Sequence, residues 1–213
     1  MAIRLPLPTP FPIHFGQRLR RELRYLRSLR ALPWRVALFD WRARRLASRI
    51  GDRFSLVSAT RPADLATLLD LARNRLRVAE LGTGTGWTAL ALAIADSRRE
   101  VLTYDPTCRD ERERYLELVA ASVRRRITFV QAPGRSGPAG GQPIDLLYVD
   151  SAHDREETKE ELQAWRPALA PGALVVFDDF SHPEFPGVAE AVHELGLTGE
   201  QVGTLFVHEV SSR

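Results

Sequence analysis

After Ser58 the chain alternates between two kinds of segment. RVAELG, EVLTYDP, ITFVQAP, IDLLYVD, ALVVFDDF and TLFVHEV are short and nearly continuous in apolar residues. Such runs predict strands covered by helices on both faces, because a strand with no wet side has no reason to alternate. Between them, RPADLATLLDLARN, TGWTALALAIADS, RDERERYLELVAASV, REETKEELQAWRPAL and GVAEAVHEL carry apolar positions at helical spacing. Strand and helix in strict turn predict a doubly wound, mostly parallel α/β sheet. In such sheets ligands gather beyond the carboxyl ends of the strands, so the residues that follow each strand are the ones to read for chemistry.

The first 58 residues follow another pattern. Pro6, Pro8, Pro10 and Pro12 punctuate an extended start of about fifteen residues. QRLRRELRYLRSLR then brings Leu19, Leu23, Leu26 and Leu29 to helical spacing beside an arginine-rich face. Pro33 breaks this helix, and a second follows to about Arg49. The division is a Pro-rich start with a basic helical cap at 1–58 and a larger domain at 59–213. The basic stretch suits a solvated cap, a nucleic-acid contact or an anionic membrane surface, since arginine covers apolar surface with its stem and keeps its head wet. Trp34 and Trp41 belong to this cap, as core residues or as part of an acceptor pocket.

Composition narrows the classes. The chain has 213 residues, room for one well-buried domain and a modest appendage, and a net charge of +3. Lys159 is the sole lysine among 30 basic residues, a bias without functional content. One cysteine, Cys108, excludes an internal disulfide and a multi-cysteine zinc site, and reads as a small, partly buried thiol. No apolar run is long enough to span a bilayer, and the N-terminus is too rich in proline for a signal-peptide core. A cytoplasmic location is the expectation.

The first chemical signal is VAELGTGTGWTALAL, residues 78–92. A glycine loop between a strand and a helix brings backbone N–H groups to a ligand. Gly82, Gly84 and Gly86 give G-x-G-x-G, which is neither the dinucleotide fingerprint nor a Walker loop. Glu80, just ahead of the loop, disfavours phosphate and favours a cation. Asp105 ends the next strand, placed to accept from both hydroxyls of a ribose. A ribose, a positive charge and no phosphate together fit S-adenosylmethionine.

These residues resemble motif I of the class I S-adenosylmethionine-dependent methyltransferases, and the resemblance runs from about Ala63 to the C-terminus. It implies a seven-stranded, Rossmann-like sheet. It also implies that Gly82, Thr83, Gly84 and Gly86 wrap the methionine part of the cofactor, with Glu80 at its amino end. Thr88 would meet the cofactor's carboxylate, Asp105 its ribose, and Gln131 and Ala132 its adenine.

The second signal lies across the expected cleft. YVDSAHDREE and VVFDDFSH end two strands and gather Asp150, Asp178 and Asp179, with His153, Asp154 and His182 nearby. Converging carboxylates repel unless something positive sits among them, and hard oxygen ligands without cysteine suit Mg²⁺, Mn²⁺ or Ca²⁺. Such an ion stabilises the oxyanion of an alcohol or phenol. The arrangement is similar to that of the metal-dependent O-methyltransferases of the catechol and caffeoyl-coenzyme A type, and to a bacterial group with D-x-x-H after the fourth strand that includes sugar O-methyltransferases. That resemblance makes Asp150, Asp178 and Asp179 the metal ligands, with Mg²⁺ first. It makes Asp150 and His153 the catalytic pair, and Asp150 also a wall of the cofactor site. Catechol-type enzymes carry a lysine base where this chain has His153. The histidine is therefore a base, a metal ligand or a residue that orders the loop. Asp154 reads as a helix cap.

The expected activity is methyl transfer to a small-molecule hydroxyl, assisted by a divalent metal, with metal-free transfer from a His153 base as the alternative. Methylation of nucleic acid through the basic N-terminal region is a further reading. No N-P-P-[YF]-like tetrapeptide follows the fourth strand, and the catalytic half is too nearly neutral for a long phosphate track. A cofactor-binding protein that has lost catalysis is the non-enzymatic reading. Related enzymes are often dimers, so a homodimer is expected.

Overall fold

Seven strands form one sheet in the order β3-β2-β1-β4-β5-β7-β6 in the computed structural model, which describes residues 13–211. The strands are β1 (Arg77–Leu81), β2 (Glu100–Tyr104), β3 (Ile127–Val130), β4 (Ile144–Val149), β5 (Leu169–Phe177), β6 (Glu200–Val202) and β7 (Leu205–Glu209). Strands β1 to β5 pair in parallel, while β7 runs antiparallel to both β5 and β6. The mostly parallel α/β sheet follows from the apolar runs: β1 and β4 are buried along almost their whole length. Strand β6 escaped the sequence reading because EQV is exposed at all three positions and carries no apolar signal.

Nine α-helices are described: α1 (Ile13–Ser28), α2 (Trp34–Ile50), α3 (Arg53–Ser58), α4 (Pro62–Leu71), α5 (Trp87–Ala95), α6 (Arg112–Leu116), α7 (Ala121–Arg124), α8 (Arg155–Trp165) and α9 (Pro186–Glu194). One apolar core joins the inward faces of α2, α4 and α5 to one side of the sheet, and a second joins α8 and α9 to the other. Each fully buried Leu, Val or Phe in these layers contributes about 1.5–3 kcal/mol relative to leaving it exposed.

Four expectations are corrected. The helix expected to begin near Gln17 starts at Ile13, directly after the last of the clustered prolines, and the Pro-rich start at 1–12 lies outside the described residues. The single helix expected over RDERERYLELVAASV is two short ones. Ala120 takes an extended conformation (ψ 150°), which redirects the chain so that Leu118, Val119 and Val123 all reach the core. Of the leucines meant for one buried stripe on α1, Leu23 and Leu26 are 46% and 45% exposed; Leu29, in the turn that follows, is buried. Cys108 is exposed, because it sits in the loop after β2 whose turn is held by the Thr107 N–H donating to Asp105.

Candidate functional site

The order of strands reverses between β1 and β4, and a cleft of about 650 Å³ opens beyond their carboxyl ends. That is a volume typical of small-molecule sites. Its floor is the glycine loop. Gly82 N–H and Thr83 N–H both donate to the Tyr104 carbonyl, at 2.8 and 3.1 Å, which pins the loop to the end of β2. Gly82, Gly84 and Gly86 all have positive φ, of 98°, 52° and 86°. Gly82 is the demanding one: a Cβ there would stand 1.8 Å from the Asp150 carbonyl oxygen. The loop and the β4 exit are thus packed backbone to backbone, and α5 starts directly above them.

Glu80 lies beneath this floor and is 1% exposed. It accepts from the Thr103 hydroxyl, which also bonds Thr83 Oγ1, so the carboxyl holds the loop from below and is not a wall of the cleft. Burial pushes Glu80 up to about 8, against the opposing effect of the Thr103 bond. A cation arriving above the loop would favour its ionised form.

Asp105 lines the cleft. Its Oδ2 accepts from Gly84 N–H at 2.8 Å and its Oδ1 from Thr107 N–H at 2.7 Å, so both oxygens are aimed before any ligand arrives. Each keeps a further lone pair for a hydroxyl. Asp105→Ala should weaken S-adenosylmethionine binding by about 1–3 kcal/mol, the scale for losing a charged hydrogen-bond partner. Calorimetry checks this, and an unchanged affinity would refute the ribose role. Gln131 and Ala132 follow β3 but are not on the cleft wall; from that connection Gly134 reaches it instead.

Thr88 opens a polar chain across the site. Its hydroxyl bonds Thr60 Oγ1 at 2.9 Å, Thr60 lies 3.5 Å from the Tyr148 hydroxyl, and Tyr148 donates to Asp178 Oδ2 at 2.8 Å. Asp178 Oδ1 accepts from the Asp179 N–H. Burial raises Asp178, and it raises Asp150 well above the ordinary carboxylate range, with repulsion from Asp178 the next cause for Asp150. His153 Nε2 stands 3.7 Å from both Asp150 Oδ1 and Asp179 Oδ2. Burial nonetheless lowers His153, which favours the neutral imidazole and leaves the carboxylates uncompensated. His153 and Asp179 occupy left-handed backbone, with φ 55° and 52°. The Phe185 ring lies 4.7 Å from the His153 ring and is stacked on His182 at 4.9 Å. Asp154 caps α8 by accepting from the N–H groups of Glu156 and Glu157.

The donor set of Asp150, Asp178 and Asp179 suits a hard divalent ion in chemistry and charge. Among the described residues no three His, Cys, Asp or Glu side chains already stand as a metal cage, and Asp178 has both oxygens engaged. The carboxylates would turn to receive an ion.

Two participants were missed from sequence. Tyr148 looked like one more apolar strand residue, and only its buried hydroxyl reveals the link to Asp178. Glu161 is fully buried on α8, accepts from Ser151 Oγ at 2.7 Å and is pushed by burial up to about 7. It shares a face with Thr158, Leu162 and Trp165 at helical spacing, a signal present in the sequence but masked by four glutamates in REETKEEL. Trp34 and Trp41 line neither core nor cleft; both are exposed. Helix α3 and the segment after it, from Phe54 to Arg61, close one side of the cleft instead.

Residues 79–180 match a family described as a methyltransferase domain. A ubiquinone/menaquinone biosynthesis C-methyltransferase of Syntrophotalea carbinolica is 29% identical over 154 residues, 68% of this chain and 64% of that protein. The chain therefore spans less than two thirds of that relative. Among solved structures, the O-methyltransferase TomG of Streptomyces achromogenes, in complex with S-adenosylmethionine, is similar with a TM-score of 0.57 at 22% identity, over 78% of this chain and 86% of that one. The TDP-rhamnose 3'-O-methyltransferase CalS11 gives 0.56 at 19%, over 76% and 85%. A Bacillus cereus O-methyltransferase gives 0.55 at 14%, over 73% and 84%. At these identities the structural likeness speaks for the fold. With the match over residues 79–180, the loop at Gly82 to Gly86 and the cleft above it, the chain is similar to the S-adenosylmethionine-dependent methyltransferases in fold and in the segment that builds the loop.

Proposed function

We propose that the protein transfers the methyl group of S-adenosylmethionine to the hydroxyl oxygen of a small molecule, with Asp150, Asp178 and Asp179 holding a divalent cation, Mg²⁺ by preference. The observation that carries this is the crowding of carboxyl groups opposite the glycine loop: His153 Nε2 stands 3.7 Å from both Asp150 and Asp179, and Asp178 is beside them. Burial with mutual repulsion raises Asp150 and Asp178, so a cation would be needed to hold all three ionised. Bound S-adenosylmethionine supplies an electrophilic methyl on sulfur, and a bound divalent ion supplies a Lewis acid that lowers the acceptor hydroxyl's pKa. The chain's own residues then have separate tasks. The glycine loop and Asp105 fix the donor. Phe54 and Phe185 on the rim exclude water, and His153 Nε2 takes the acceptor's proton. Holding donor and acceptor in line makes proximity a large part of the rate.

A second reading has its own observation. His153 Nε2 lies 3.7 Å from each of Asp150 and Asp179, so the pair can orient the imidazole and stabilise its protonated form without a metal. A methyl-transfer screen over catechols, hydroxycinnamates and glycosides, with Mg²⁺ and with chelator, separates the two. Chelation should lower turnover by about two orders of magnitude or more, as several kcal/mol of Lewis-acid stabilisation is lost. Asp150→Ala and Asp178→Ala should abolish Mn²⁺ binding in calorimetry while S-adenosylmethionine affinity stays largely intact. Undiminished turnover in chelator would leave the His153 reading in force.

A further inference from the structure

Helix α2 has two apolar sides. Val36, Phe39, Ala43 and Ala47 face the core, as an amphipathic helix requires. On the opposite side, where polar residues belong, Trp34, Leu38 and Trp41 recur at i, i+4 and i+7 and are 71%, 41% and 37% exposed. Arg35, Arg42, Arg45 and Arg49 surround this row and are exposed, while the helix's one acid, Asp40, is buried and engaged by Tyr25 and Arg44. Singly exposed apolar residues need no explanation, but an aligned apolar row with two tryptophans inside a ring of cations does.

We propose that this face of α2 docks on an anionic lipid surface, with the helix lying in the plane of the headgroups. Indole rings settle at the boundary between headgroups and acyl chains, and guanidinium groups reach the lipid phosphates. Charge complementarity selects this occupant. A second copy of the chain would set arginines against arginines, since α2 exposes no carboxylate to offset them. A nucleic acid would take the arginines but not the row. The Arg35 guanidinium lies 5.4 Å from the Trp34 ring and Arg45 lies 4.8 Å from Trp41, so one face of each indole is already covered, and Leu38 between them offers a base nothing to stack on. No described helix is long and apolar enough to cross a membrane, so the contact is peripheral. It is independent of the acceptor and of the metal.

The test uses the full chain with phosphatidylcholine vesicles, with and without phosphatidylglycerol. The protein should sediment with the phosphatidylglycerol vesicles and stay free of the neutral ones. The double variant Trp34→Ser, Trp41→Ser should lower the partition coefficient about tenfold or more, through lost apolar burial. Arg35→Gln and Arg45→Gln should each lower it about fivefold. S-adenosylmethionine binding should be unchanged throughout, which shows that the variants are folded. Failure to bind anionic vesicles at low salt, or equal binding by the tryptophan variant, overturns the proposal. So does a dimer, or retention of single-stranded RNA, that is lost in the tryptophan variant while vesicles remain unbound.

Discussion

Gly82→Ala should abolish S-adenosylmethionine binding and lower thermal stability, the largest effect expected of any single methyl group in this protein. Two costs add. The native φ of 98° lies where an L-residue is strained, at about 1–3 kcal/mol. The added Cβ would also stand 1.8 Å from the Asp150 carbonyl oxygen and 2.6 Å from its carbon, which are backbone atoms with no rotamer to escape into. Overpacking of this kind costs about 1–3 kcal/mol more. The collision can be relieved only by separating the glycine loop from the β4 exit, which breaks the Asp150 N–H bond to the Leu81 carbonyl and displaces the two halves of the site together. Gly84→Ala is the control. Its φ of 52° is milder, and its Cβ would meet only the Phe54 ring edge, at 3.3 Å. It should cost about 1 kcal/mol and retain binding. Thermal unfolding and calorimetry on both variants decide the matter. Equal behaviour of the two would refute a specific role for close backbone approach at Gly82.

The same contact explains which parts of the site were legible in the sequence. The glycine spacing, Glu80 and Asp105 belong to one strand-turn-helix unit and the strand beside it, where local rules place every residue. Asp150, Asp178 and Asp179 were legible as strand-end residues, because a parallel sheet brings all its carboxyl ends to one edge. What stayed hidden depends on burial direction. REETKEEL does not announce that Glu161 turns inward beside Ser151. YVD does not announce that the Tyr148 hydroxyl ends on Asp178. On α2, aromatic and aliphatic residues recur on both sides at helical spacing, so periodicity alone cannot choose the core face. Packing against α5 buries Phe39 and leaves Trp34 and Trp41 in water. The Gln131–Ala132 exit failed to reach the cleft for a comparable reason. Strand β3 stops at Val130, and the chain must run on to Gly134 before it meets the wall.

His153→Asn should lower turnover by about 10²–10⁴-fold while leaving S-adenosylmethionine affinity within a few-fold of the parent, the scale for losing a general base. Asparagine is the informative replacement. His153 sits at φ 55°, a conformation that asparagine tolerates and alanine does not, so the backbone of the D-S-A-H loop survives and only the imidazole is removed. Gly187 packs closely against the His153 carbonyl, so a variant that moved this backbone would also disturb α9 and confound the result. The sign of the pH dependence follows from the direction of the shift. Burial lowers His153 below its ordinary value of 6.5, so the neutral, proton-accepting form is already dominant at neutral pH. Turnover should therefore rise with pH on the acid side and level off before neutrality. In His153→Asn that rising limb should be missing, and added imidazole should restore part of the rate. If His153 only ordered the loop, asparagine would serve nearly as well and the limb would persist. Asp150, raised by burial and by Asp178, makes a contrary demand: any metal it holds binds more tightly as pH increases and its carboxyl ionises. Measuring turnover at saturating Mg²⁺ removes that contribution, and the limb that remains belongs to the base.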